Sequence, residues 1–153
     1  MDDPVDIRAW QRLAPDLTSS GRLREEDVAR LAELGVRHVI NLALAEHPEA
    51  LADESGKLAA TGMGYDHIPV PFDRPDDSHF TAFAETLATA PHPLHVHCIM
   101  NWRVSAFFYR WHRDVQGMPE AEARALMEQQ WSPENNPHAD APAWAHFIAG
   151  ESS

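Results

Sequence analysis

The sequence predicts an α/β fold: a three-layer domain with a small, mainly parallel central sheet flanked by helices. Two observations carry this. Stretches with a helical apolar period alternate with short β-rich runs at 36–43, 65–70 and 94–97, the pattern of βαβ units. The length of 153 residues, with 44% hydrophobic and 24% charged residues and no low-complexity tract, suits one globular core. A single domain over 1–153 is expected, with its core at about 10–130 and a tail, 131–153, packed on it.

Taken in order, residues 7–17 read as extended and end in the turn-forming run Thr18-Ser19-Ser20-Gly21. Residues 24–34 form a helix: Val28, Leu31 and Leu34 share a face, acidic residues fill the first turn, and Gly35 stands at the C-cap. Residues 36–43 follow as a buried strand. A second helix is expected over 47–61, stopped by Gly62 and Gly64 and weakened by Gly56. Residues 65–70 make a short strand, and the proline- and aspartate-rich stretch 71–78 makes a loop. Asp76, Asp77 or Ser78 can cap the next helix, whose core face carries Phe80, Phe83 and Leu87. Pro91 and Pro93 end it. Residues 94–97 are a strand, followed by a loop and a helix over about 104–115. Another helix runs over 119–130, opened by Pro119. In the tail, Trp144 and Phe147 are expected to pack onto the body.

Composition narrows the function. Twenty-four acidic residues against twelve basic ones give a formal charge of −12. Nucleic-acid affinity rests on lysine and arginine neutralising phosphates, so no nucleic-acid partner is expected. No apolar run reaches the roughly 18 residues of a membrane span, and the acidic N-terminus lacks the order of a secretion signal. A cytoplasmic protein without membrane association is expected. One cysteine, Cys98, cannot form an intramolecular disulfide and is either a small buried hydrophobe or a reactive thiol.

The informative stretch is Leu94-His95-Val96-His97-Cys98-Ile99-Met100-Asn101-Trp102-Arg103-Val104-Ser105: strand, loop, helix. Ligands of parallel sheets bind beyond the carboxyl ends of the strands, where Cys98 falls. Amides at a helix start are unpaired and carry partial positive charge, so such a turn binds phosphate or sulfate. A cysteine in that field is biased toward its thiolate, and an arginine beside it can hold a phosphoryl group against it.

These residues resemble the protein tyrosine and dual-specificity phosphatases, whose signature is His-Cys, five residues, Arg, then Ser or Thr. His97-Cys98 opens the loop and Ser105 falls seven residues after the cysteine, as in that family. Asn101 stands where the family has glycine, and asparagine also enters the left-handed region. Thr18-Ser19-Ser20-Gly21, Gly35-Val36, Ile40-Asn41-Leu42 and Gly64-Tyr65 with Ile68-Pro69-Val70 look like a bacterial branch of phosphatase-like proteins, over about residues 10–115. One departure is plain: Arg103 lies five residues after Cys98, and Val104 occupies the usual arginine position. One step at a helix start rotates a side chain by about 100°.

The resemblance implies a cysteine-dependent phosphatase acting on a phosphomonoester of unspecified class, without cofactor. Cys98 attacks phosphorus and a cysteinyl-phosphate is hydrolysed by water. Arg103 and the amides of Ile99, Met100, Asn101, Trp102, Arg103 and Val104 hold the phosphoryl oxygens. Ser105 hydrogen-bonds the sulfur, and an aspartate protonates the leaving oxygen: Asp73 by choice, with Asp76 and Asp77 as competitors. His97 supports the loop by bonding backbone near the sulfur. Two other readings stay open. One is a phosphatase-like module that binds a phosphorylated ligand without hydrolysing it; the other is a sulfurtransferase carrying persulfide on Cys98. His95 and His97 point the same way on a strand and could share a metal, but Cys98 faces the opposite side, so no metal site is expected. Trp102 is placed to line or cover the pocket mouth.

Overall fold

Five strands build the sheet in the computed structural model: β1 (Gln11–Ala14), β2 (Leu17–Ser20), β3 (His38–Asn41), β4 (Gly64–His67) and β5 (Leu94–His97). It describes residues 3–150; Met1, Asp2 and residues 151–153, the ends of the expected domain, lie outside the described residues. The spatial order is β1-β2-β5-β3-β4, with β1 antiparallel to β2 and every other pair parallel. The main helices are α1 (Glu25–Glu33), α2 (Glu54–Ala59), α3 (Asp77–Thr89), α4 (Trp102–Arg110), α5 (Glu120–Glu128) and α6 (Ala141–Ala149).

Side chains alternate across a strand, and here each face buries its own cluster. On one face Val28 and Leu31 of α1, Leu58 of α2 and Val39 of β3 pack together. On the other, Leu17, Ile40, Leu94 and Val96 meet Phe83 of α3, Phe107 of α4 and Trp144 of α6. The result is the expected three-layer α/β arrangement with a mainly parallel sheet. Among the described residues no helix is long and apolar enough to cross a membrane.

Two local expectations change, and the packing of the tail is met with a helix. Residues 18–20 are not a turn but the inner strand β2, because their hydroxyls find buried partners. Thr18 and Ser20 each lie 2.8 Å from a ring nitrogen of His95, and Ser19 Oγ accepts from Asn101. The second helix is far shorter than 47–61; Asp53 adopts φ +50 immediately before Glu54, so the stretch before α2 is built of turns. The tail contains a helix, α6, with Trp144, Phe147 and Ile148 buried.

Register fixes the functional edge. Ser20 of β2 and Asn41 of β3 both lie level with His97 of β5. Cys98 follows directly, at the carboxyl end of the central strand.

Candidate active site

Beyond His97 the chain stops pairing as a strand and turns into α4. Asn101 makes the turn with φ +65 and ψ +15, the left-handed conformation expected of it. Its amide group does more than tolerate that shape: Nδ2 donates to the carbonyl of Ala9 at 2.9 Å and to Ser19 Oγ at 3.1 Å. A glycine could not tie the loop to β2 in this way.

The carbonyls of the loop are drawn outward. Cys98 O lies 3.1 Å from Nδ1 of His97, and Ile99 O accepts from the Arg22 amide at 2.8 Å and from Arg8 at 3.5 Å. Trp102 O accepts from the Trp131 indole at 2.9 Å and from the Ser105 hydroxyl at 3.1 Å. A trans peptide points its N–H opposite its C=O, so the amides of Ile99 and Met100 turn away from those partners. Among the described residues, no acceptor is found for the amides from Ile99 to Val104, while the Ser105 amide already bonds Asn101 O at 3.1 Å. Six consecutive N–H groups without a protein acceptor, on the entry to a helix, have the chemistry that suits an anion.

This loop borders a cavity of about 360 Å³. Cys98 is only 1% exposed, yet it lines that cavity together with Arg103, Phe72 and Trp102. Arg103 is 7% exposed and its Nη1 donates to the carbonyl of Val70 at 3.0 Å, with the guanidinium 5.7 Å from the Phe72 ring centre. Despite its position one residue early, the side chain reaches the same cavity as the cysteine. Among the described residues no carboxylate lies within ion-pairing distance of it, whereas the other buried arginine, Arg110, pairs with Asp77 at 2.8 Å and Asp114 at 3.8 Å. A guanidinium is permanently charged, and burying one without a counter-charge is costly.

The three candidate acids separate clearly. Asp76 caps α3, accepting from the amides of Ser78 and His79; these bonds, with the Ser78 hydroxyl first among them, hold its carboxyl below the usual range. Asp77 is bound to Arg110. Asp73 is bound by no buried group: its side chain is 64% exposed, next to the cavity residue Phe72, with Arg74 at 4.0 Å. Ser105 is not brought to the sulfur. Its hydroxyl is engaged with Trp102 O, and it faces a separate small cavity beside Gln11 and His112.

His95 and His97 lie side by side, ring centres 6.4 Å apart, but take different partners. His95 stacks on Trp10 at 5.0 Å and is held between Thr18 and Ser20. Full burial, then the neighbouring His97, push its basicity well below that of a free histidine. His97 is bonded through Nε2 to Oε2 of Glu54 at 2.7 Å, both side chains nearly fully buried. Glu54 also faces Tyr65, whose hydroxyl accepts from Asn41 Nδ2 at 3.1 Å and is pushed up to about 12, by burial first and then by the Glu54 charge. A chain of bonds therefore runs from Glu54 through His97 to the carbonyl of Cys98, with Tyr65, held by Asn41, beside Glu54. Glu54 escaped sequence reasoning: one glutamate in an acidic protein carries no signal, and the only hint was a histidine on a buried strand needing a partner.

A cysteine-bearing loop between a parallel strand and a helix, with a buried arginine lining the same cavity, defines the class of phosphatase-like α/β domains. Residues 7–111 match the family described as beta-lactamase hydrolase-like protein, phosphatase-like domain, and the chain belongs to that family. It is similar to a DUF442 protein of Shewanella putrefaciens CN-32 assigned as a phosphatase: 30% identity over 96% of this chain and 92% of that one, with a TM-score of 0.77. P. aeruginosa TpbA, solved with phosphotyrosine, shares the fold at 21% identity over 93% and 83% of the two chains, TM-score 0.72. So does the catalytic domain of the PP-IP phosphatase SIW14 of S. cerevisiae, solved with citrate, at 18% identity over 96% and 87%, TM-score 0.74. These neighbours set the domain among protein tyrosine phosphatase-like folds. No match was found among curated proteins.

Proposed function

We propose that this domain is a cysteine-dependent phosphatase that hydrolyses a phosphomonoester through a cysteinyl-phosphate. The observation that carries the reading is the buried Arg103, without a carboxylate partner among the described residues, in one cavity with Cys98 and a loop of amides that find no acceptor among them. An oxyanion supplies the missing counter-charge and the missing acceptors at once.

In the first step the Cys98 sulfur attacks phosphorus; the S–P bond forms as the P–O bond to the leaving group breaks. Arg103 and the amides of residues 99–104 stabilise the charge on the equatorial oxygens. Asp73 gives its proton to the departing oxygen. Asp76 and Asp77 are committed to a helix cap and an ion pair, which favours Asp73. In the second step water attacks phosphorus, the S–P bond breaks, and Asp73 takes the water proton. The Ser105 hydroxyl, bound to Trp102 O, supports α4 rather than the leaving sulfur. The domain acts in the cytoplasm on this reading.

The test is turnover of 4-nitrophenyl phosphate by wild type and Cys98→Ser. Vanadate-sensitive release lost in the variant supports the phosphatase. Phosphate binding without turnover in wild type would replace it with a binding module, and sulfur transfer from thiosulfate to cyanide would replace it with a persulfide carrier.

A further inference from the structure

A phosphoryl group fills only part of the cavity: about 360 Å³ lies at the lower end of the range that encloses a whole small ligand, roughly 300–1,000 Å³. Beyond Cys98 and Arg103 its walls are chiefly apolar, from Leu44, Phe72, Ile99, Met100 and Trp102. Two polar side chains interrupt them: His47, from the turns before α2, and His138, from the segment before α6.

Both histidines are prepared in the same manner. Nδ1 of His47 accepts from the Glu49 amide at 3.0 Å, and Nδ1 of His138 accepts from the Asp140 amide at 3.0 Å. A backbone amide can only donate, so each Nδ1 is without a proton and each ring carries N–H at Nε2. Among the described residues neither Nε2 has a hydrogen-bond partner. The His138 ring is further fixed by edge-on contact with Phe72, centres 5.0 Å apart at 81°, and with Trp102 at 90°. Two rings of set tautomer thus offer donors on a wall that is otherwise apolar.

We propose that His47 and His138 read a second acceptor group, a carboxylate or carbonyl oxygen, carried by a small phosphomonoester whose body is flat and apolar. The body lies against Phe72 and Trp102, the phosphoryl group enters the Cys98 loop, and the far acceptor takes the Nε2–H donors. This inference rests on the phosphate reading of the loop, and binding separates the two. Cys98→Ser protein is titrated calorimetrically with inorganic phosphate, 4-methylphenyl phosphate, and 3- and 4-carboxyphenyl phosphate.

The expected result is that one carboxylated ester binds at least about tenfold tighter than the methyl ester, as one charge-assisted hydrogen bond allows. The ratio falls to about threefold or less on adding His47→Leu or His138→Phe; the phenylalanine keeps the ring contacts of His138. Without further substitution, nitrogen NMR of Cys98→Ser shows Nε2 of both histidines shifting with the carboxylated ester and not with inorganic phosphate. Equal binding of methyl and carboxylated esters, an undiminished preference in both histidine variants, or unmoved Nε2 signals would overturn the inference while leaving the phosphate site standing. Absence of binding by inorganic phosphate and all three esters would overturn both.

Discussion

Gly21→Ala is the sharpest perturbation available to the loop, because residue 21 itself takes no part in the proposed chemistry and acts only by pressing on the loop backbone. A Cβ on residue 21 would meet the carbonyl oxygen of Ile99 at 2.5 Å, while the Arg22 amide holds that same oxygen at 2.8 Å. Contacts below 3.0 Å are essentially never seen for a real Cβ, so the loop or β2 must separate by at least 0.5 Å, from 2.5 to 3.0 Å. The opposing atom is backbone, and the nearby Arg8 side chain cannot relieve it by swinging aside. Overpacking of this kind costs about 1–3 kcal/mol. For a domain of this size that is a melting temperature lowered by about 2–12 °C. The same displacement moves the Ile99–Met100 peptide, whose amide belongs to the proposed anion site. Misplacing catalytic geometry by about 1 Å costs on the order of 100-fold in rate, so half that shift should cost roughly tenfold. The assays are thermal unfolding followed by circular dichroism and kcat/KM on 4-nitrophenyl phosphate. A variant that melts and turns over like wild type would refute the claim that Ile99 O is pinned against β2, and with it the inward direction of the loop amides.

Other predictions follow from the same geometry. Arg103→Met should lower kcat/KM by about 100-fold or more while leaving the melting temperature equal or higher, because it removes a buried charge along with the clamp; unchanged kinetics would remove Arg103 from the site. Glu54→Gln should destabilise by about 1–3 kcal/mol in chemical denaturation and lower kcat more than it raises KM, since it disturbs the bond that orients His97 and the Cys98 carbonyl; a variant with wild-type stability and kcat would deny the chain of bonds a role. For pH, the sign follows from His95. Its folded-state basicity is depressed from 6.5, so below that value the unfolded chain takes up a proton that the folded protein refuses. Stability from this source is complete above 6.5 and declines as pH falls toward the depressed folded value, at up to about 1.4 kcal/mol per pH unit. His112, lowered in the same sense by burial, adds to the decline. Denaturation midpoints measured from pH 7.5 to 5 should drop for wild type and drop less for His95→Gln; parallel curves would contradict the account.

Much of this was legible in the residues, and the failures share a cause. β5 and its loop could be read because Pro91 and Pro93 mark the strand start and because asparagine is one of few residues that adopts φ +65 readily. α1 was legible from its apolar face and Gly35. By contrast, Thr18-Ser19-Ser20 has turn-forming composition, and its strand state depends on His95 and Asn101, whose sequence distance hides them. The extent of α2 was misjudged because local periodicity says nothing of Asp53 in a left-handed conformation. At the site, Cys98, Arg103 and Asn101 stood within one short run and could be weighed together. Glu54 and His47 come from one segment and His138 from another, both remote from Cys98, and only the folded chain brings Glu54 to His97 and the two histidines to the cavity.

The stacking of Trp131 on Trp102, with ring centres 4.7 Å apart and planes within 1°, joins the C-terminal segment to the Cys98 loop from a stretch that the family match does not span. Cys98 and Arg103 thus belong to the stretch that the family match spans, while Trp131 and His138 are written after it. Divergence in that later stretch could retune which molecules are admitted without rewriting the chemistry beneath, so two members of this family with identical loops need not accept the same compound.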